Sequence, residues 1–156
     1  MDKFPMTPAG HKKLQAELKR LREVDRPANV KAIEEARAHG DLSENAEYKY
    51  AKEQQSLIAG RIEHLEDRIS RANVIDPSKL SGDRVVFGAK VLLENLDSKE
   101  ETSYRIVGED EANIDAGTIS ITSPIARGLI RREVGDEVTI ETPAGPRKFE
   151  IVDLEF

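Results

Sequence analysis

Two long helical stripes meet at one short turn, and that limits what the chain can become. The turn is Gly40-Asp41-Leu42-Ser43-Glu44-Asn45. Before it, Leu14, Leu18 and Leu21 follow at four- and three-residue steps, which lines up one apolar face of a helix. Val30, Ile33 and Ala36 resume such a face out of phase with the first, and Pro27 lies inside the phase shift. A helix is expected from about Pro8 to His39, with Thr7 as its N-cap and Pro8 at the first helical position. It is expected to be kinked or briefly broken near Asp25–Pro27. After the turn, Tyr48, Ala51, Gln55, Ile58, Ile62, Leu65, Ile69 and Ala72 step by three and four, the seam of a coiled coil. The second helix is placed from about Leu42 to Ala72. Gly40 suits the position just past a helix end, and Asp41-x-x-Glu44 has the spacing of a capping box, with Asp41 at N-cap and Glu44 at N3. So short a turn permits only an antiparallel hairpin. About thirty residues rising 1.5 Å each give it a reach of roughly 45 Å. Leu14, Leu18, Ile62 and Leu65 lie toward its base, while Ala36, Ala51 and Gln55 lie toward the turn. The rod should be thin and least stable at its tip.

The pattern changes after Val74-Ile75-Asp76-Pro77-Ser78. Residues 1–77 are assigned to a coiled-coil domain and residues 78–156 to a second domain. There the period becomes two. Strands are expected over 84–95 with a bulge at Gly88, and over 102–107, 118–122, 137–142 and 147–156. Phe149 and Ile151 share a face while Val152, Leu154 and Phe156 are shifted by one, so the last strand should carry another bulge. Ser123-Pro124 repeats the cap-plus-proline signal and opens a short helix over 125–130. The fold class is α+β: a helical hairpin followed by a small antiparallel sheet with one helix against it.

Composition excludes several functions. The chain has no cysteine, so neither a disulfide nor a thiolate metal site is available, which fits a reducing cytosol. The first ten residues lack the pattern of a signal peptide, and no apolar run approaches a membrane span. Residues 1–77 hold 14 Lys+Arg against 14 Asp+Glu, whereas residues 78–156 hold 10 against 16, so the whole net charge of −6 sits in the second half. Phosphates are repelled by such a body, which disfavours free nucleic acid as the main partner. A protein with a basic or apolar docking surface suits it better.

Asp41 and Glu44 carry the clearest chemistry. As a capping box they would satisfy two backbone N–H groups, the commonest role for such a pair. Their place at the extreme tip of a rod, beside an exposed Leu42 with nothing of its own to pack on, favours a second role. Two carboxylates one turn apart share a hard divalent ion such as Mg²⁺, with the remaining ligands coming from a partner or its substrate. Arg37, Lys49 and Lys52 lie within two to three turns of the tip. Singly each is ordinary solvated surface. As a group they would steer a phosphate chain toward the acidic tip. His11, His39 and His64 have no ligand spacing, and neither a Ser/His/Asp constellation nor a Gly-rich phosphate loop is present.

The run Ala36-Arg37-Ala38-His39-Gly40-Asp41-Leu42-Ser43-Glu44-Asn45-Ala46-Glu47-Tyr48, followed by Ala51-Lys52-Glu53-Gln54, resembles the tip signature of the bacterial transcript cleavage factors of the Gre family, in its GreA type. Ser123-Pro124-Ile125-Ala126-Arg127-Gly128-Leu129-Ile130 resembles that family's second signature, and the likeness spans essentially the whole chain. It implies an FKBP-like C-terminal domain that docks through residues 123–130 at the rim of the secondary channel of RNA polymerase. It further implies a monomer whose coiled coil enters that channel in the cytoplasm. At the polymerase's active centre Asp41 and Glu44 would help hold a second Mg²⁺ against the 3′ end of backtracked nascent RNA. The protein would then be no enzyme by itself but a stimulator of the polymerase's own RNA cleavage. Position 52, often arginine in the family, is lysine here, which keeps the charge without a bidentate phosphate contact. Arg131-Arg132 stands where the resemblance leads to a Gly-Lys-like pair.

Two other functions remain open on the residues. A non-cleaving plug of the channel would have a differently arranged acidic tip. A stand-alone prolyl isomerase would line its pocket with aromatics, and residues 84–156 offer only Phe87, Tyr104, Phe149 and Phe156.

Overall fold

The computed structural model describes residues 2–40 and 45–156. The chain divides into two compact units, one of residues 11–71 and one of residues 1–10 with 72–156. The division falls six residues before the boundary placed from sequence, and the first ten residues belong with the second unit.

The first unit is the hairpin. Its outgoing arm is α1 (Pro8–Arg20), a π-helical turn (Leu21–Asp25) and α2 (Arg26–Arg37). Its returning arm is α3 (Ala46–Ser70). Near Pro27, where a kink or brief break is expected, the helix runs on without a break but is irregular, with the π-helical turn directly before Arg26. Proline offers no N–H and its ring presses on the carbonyl four residues back. Just before it the helix widens, and Arg26 N–H reaches Leu21 O, five residues away. The extra residue turns the inward face by one position. Asn29 therefore joins Ile33 and Ala36 in the seam, and Val30, expected there, is 47% exposed. On α3 the seam runs through Ala51, Ile62 and Leu65, with Gln54 half-buried and Gln55, expected inside, exposed.

Polar hooks cross between the arms. Asn29 Nδ2 donates to Ala51 O at 2.9 Å, and Arg61 makes a two-pronged contact with Glu17 at 2.6 and 2.9 Å. Arg22 pairs with Glu66. Small side chains at Ala28, Ala32, Ala36 and Ala51 leave an open groove of about 710 Å³ between the arms.

The second unit holds two sheets. A short parallel pair, β1 (Phe4–Met6) and β2 (Ala72–Val74), went unseen in the sequence. Three residues are too few for a period to show. Beside it, the Glu111 carboxylate accepts from Thr7 N at 2.8 Å, from Gly108 N at 3.1 Å and from the Thr7 hydroxyl. Thr7 Oγ1 in turn caps α1 by accepting from Gly10 N at 3.1 Å, as expected of it. A Cβ at Gly10 would land on the Glu111 carboxylate, which would have to shift to admit one.

The main sheet comprises β3 (Lys90–Asn95), β4 (Glu101–Val107), β5 (Thr118–Ser120), β6 (Glu137–Thr142) and β7 (Gly145–Glu155), in the order β5-β4-β3-β7-β6. The fold is α+β, with two corrections to the sheet. First, β5 lies parallel to β4; the other pairs are antiparallel. Second, the strand expected from Arg84 starts only at Lys90. Gly88 sits in a turn at φ +87° rather than in a bulge, and the side chain of Pro77 lies where its Cβ would be. The bulge expected in the last strand is present. Leu92 pairs with Asp153 and Leu93 with Ile151, which leaves Val152 as the extra residue. One helix, α4 (Pro124–Leu129), packs on β6. The core is aliphatic: Val85, Val91, Ile106, Leu129 and Ile151 are fully buried. Among the described residues no helix is long and apolar enough to cross a membrane.

Candidate functional site

At the hairpin's far end α2 winds down through tightened bonds. His39 N donates to Ala36 O and Gly40 N to Arg37 O, at 3.2 and 3.4 Å. Gly40 takes φ +107°, the conformation that ends a helix at little cost for glycine alone. The return begins at Asn45, whose Oδ1 accepts from Tyr48 N at 3.0 Å. Its Nδ2 donates to Ala36 O at 2.6 Å. One side chain thus caps α3 and occupies a carbonyl at the end of α2, closing the turn from inside.

The N-cap of α3 is Asn45 and its N3 residue is Tyr48. Asp41 and Glu44 themselves lie outside the described residues. The missed signal was Asn45 itself, a good N-cap four positions after Asp41 and three before the stripe begins at Tyr48.

The three expected cations are placed around Tyr48. Arg37 ends α2 with its guanidinium 5.9 Å from the Tyr48 ring centroid, at the outer limit of a cation–π contact. Lys49 is exposed next to it. Lys52, one turn on from Tyr48, donates to Gln55 Oε1 at 2.8 Å. His39 Nδ1 lies 3.1 Å from Glu47 Oε2. Among the described residues no three His, Asp or Glu side chains converge as a metal site. Hard carboxylate oxygens suit Mg²⁺, and the sequence places two of them in this turn; a complete shell would need ligands from elsewhere.

The second expected site divides by exposure. Ser123 Oγ caps α4 by accepting from Ala126 N at 3.2 Å, with Pro124 in the first turn. Ala126 and Leu129 are fully buried and serve the core. Pro124 and Arg127 are exposed, while Ser123, Ile125, Gly128 and Ile130 are half-buried. Pro124 and Ile125 line an apolar pocket of about 360 Å³ with Ile114, Ile119 and Pro143. Only part of the 123–130 segment is thus available to a partner.

Two family models cover nearly the whole chain. Residues 4–74 match the N-terminal domain of transcription elongation factors, and residues 80–156 match the C-terminal domain of the GreA/GreB transcription elongation factors. Transcription elongation factor GreA of Beijerinckia indica is 57% identical over 100% of this chain and 99% of its own length. That of Hyphomonas neptunium is 55% identical with the same coverage. Among solved structures, GreA factor homolog 1 of Thermus thermophilus is 32% identical over 99% of both chains, with a TM-score of 0.45. This chain belongs to the GreA/GreB family of transcription elongation factors.

Proposed function

We propose that the protein binds bacterial RNA polymerase and stimulates cleavage of the 3′ end of backtracked RNA, rescuing arrested elongation complexes. The second unit docks at the rim of the secondary channel through the exposed part of residues 123–130 and the adjacent apolar pocket. The hairpin passes into the channel as a monomer, in the cytoplasm. Arg37, Lys49 and Lys52 attract the RNA backbone toward the tip. Asp41 and Glu44 would hold a shared Mg²⁺, which supplies charge neutralisation and water activation at the polymerase's centre. The chain by itself cuts no RNA, because two carboxylates leave most of a coordination shell to other groups.

The observation that carries this reading is the match to both family models over residues 4–74 and 80–156, with the N-cap of α3 supplied by Asn45. The test is Asp41→Asn and Glu44→Gln, singly and together, with stalled backtracked complexes. Both replacements keep side-chain size, so the fold and docking should survive. Cleavage should fall about a hundredfold or more per change, roughly 2.7 kcal/mol of transition-state stabilisation. Added Mg²⁺ or Mn²⁺ should restore part of it. The double change should cost less than the two singles summed, since both residues serve one ion. Full activity in the double variant would return the pair to a structural role.

A further inference from the structure

Arg131 has φ +72°, one of two non-glycine residues in the left-handed region among those described. The other, Lys99, closes the β3–β4 turn, where its N donates to Asn95 O at 2.8 Å. Arg131 stands third in the turn that ends α4, closed by Arg132 N donating to Leu129 O at 3.0 Å. Its backbone is clamped, with Arg131 N donating to Val85 O and Val85 N to Arg132 O, each at 2.8 Å. Glycine would adopt this conformation without strain. An arginine kept there points to a use for its side chain.

The surroundings say what that use is. Arg127, Arg131 and Arg132 are exposed, and none of their guanidinium groups has an ion pair or hydrogen bond within the described chain. Arg84 joins this stretch through the backbone, 3.5 Å from the carbonyl of Arg131, and pairs with Glu133 at 3.0 Å. These four arginines belong to a half of the chain whose net charge is −6. Val86 and Val134, two residues on from Arg84 and Arg132 in sequence, are 39% and 48% exposed.

We propose that this arginine face of the second unit is an interaction surface for an acidic, carboxylate-bearing segment of a protein partner. Guanidinium forks pair with carboxylates, and the two exposed valines add apolar contact, the mixture found at protein interfaces. A nucleic acid fits less well. Its phosphates would meet the repulsion of the surrounding acidic unit and have no use for the valines. The proposal rests on docking to polymerase and specifies the chemistry of the docking site there: an acidic segment, not the basic one that the unit's net charge suggests.

The test uses the full chain as parent, Arg131→Gly, and the triple variant Arg127→Gln, Arg131→Gln, Arg132→Gln. Binding to core RNA polymerase is measured by competition across a salt series, with single-stranded RNA and duplex DNA as separate probes, and the Tm of each variant is recorded. The triple variant should bind polymerase about tenfold more weakly at low salt, and the gap should close as salt rises. Arg131→Gly should raise Tm by about 2–4 °C yet weaken polymerase binding severalfold, a split that a structural role would not produce. If parent and triple variant bind polymerase equally at every salt concentration, the arginine face is not the surface. Equal or larger losses on RNA or DNA overturn the proposal in favour of nucleic acid. If the parent itself does not bind polymerase, the docking reading falls first and this one with it.

Discussion

The second unit and the far end of the hairpin are stabilised by different means. In the sheet unit the core is continuous aliphatic surface, with Val85, Val91, Ile106, Leu129 and Ile151 closed off from solvent. Toward the tip the seam has Asn29, Ala36 and Ala51, and side-chain amides replace apolar area. Apolar burial contributes about 25 cal/mol per Å² and fixes no direction. A hydrogen bond contributes about 1 kcal/mol net but fixes geometry. The sheet unit is built for stability, whereas the tip is built narrow and held in register.

Leu129→Ala tests this contrast most strongly. The side chain is fully buried between α4 and the sheet, so the change should cost about 2–5 kcal/mol. Native-state hydrogen exchange should show the loss in α4 and β6 while α2 and α3 keep their protection. Equal loss in the hairpin helices would mean that the two regions do not carry separate stability.

Asn45→Ala comes next. It removes the α3 cap and the bond to Ala36 O together, for about 1–2 kcal/mol. Here the loss should appear as faster exchange at Tyr48 and Lys49, with no change in β3 to β7. On the function proposed above, cleavage stimulation should fall with it. An unchanged exchange rate in the first turn of α3 would remove Asn45 from the role given to it.

The sequence made the helical architecture legible because its period is long and repeated. Leu14, Leu18, Ile62 and Leu65 lie where their spacing put them, and Ser123-Pro124 and Thr7-Pro8 cap the helices they were assigned. Three things were not legible. The π turn moved the inward face from Val30 to Asn29, and no straight helical wheel contains an added residue. The Thr7–Glu111 contact joins residues 104 apart, which no local pattern reports. The parallel placement of β5 is set by the route of the segment before it and not by its own three residues. At the candidate site, the acidic pair stood out by position and by family resemblance. The cap of α3 did not, because Asp41 and Asn45 both satisfy the sequence rule for a helix start.

Asn29→Leu sharpens the comparison with a smaller effect of the opposite sign. The change gives up the Asn29 bond to Ala51 O, worth about 1 kcal/mol net, but leucine would add more than that in apolar contact to a thin seam. Stability should rise by about 1 kcal/mol. Specificity should fall, since a single polar seam residue fixes register. Distances between spin labels on α2 and α3 should then broaden. A sharp distribution with no gain in stability would mean that Asn29 packs as well as any aliphatic.

The smallest effect belongs to the pair across the hairpin's base. Hydrogen bonding to Arg61 holds the Glu17 carboxyl below its ordinary value of 4.5, with the Arg61 charge adding to it and partial burial opposing. A carboxyl whose pKa is lowered on folding stabilises the fold above its unfolded pKa. The contribution is lost as pH falls from 4.5 through the lower folded value. Both side chains are about 40% exposed, so solvent screens the pair and it is worth at most about 0.5 kcal/mol. Glu17→Gln should therefore lower Tm by about a degree at neutral pH. The parent and variant curves should converge at acid pH, where the parent's carboxyl is protonated as well. High salt should close the same gap at neutral pH. A gap that persists unchanged into acid would assign the contribution of Glu17 to packing of its stem against the seam instead of to its charge.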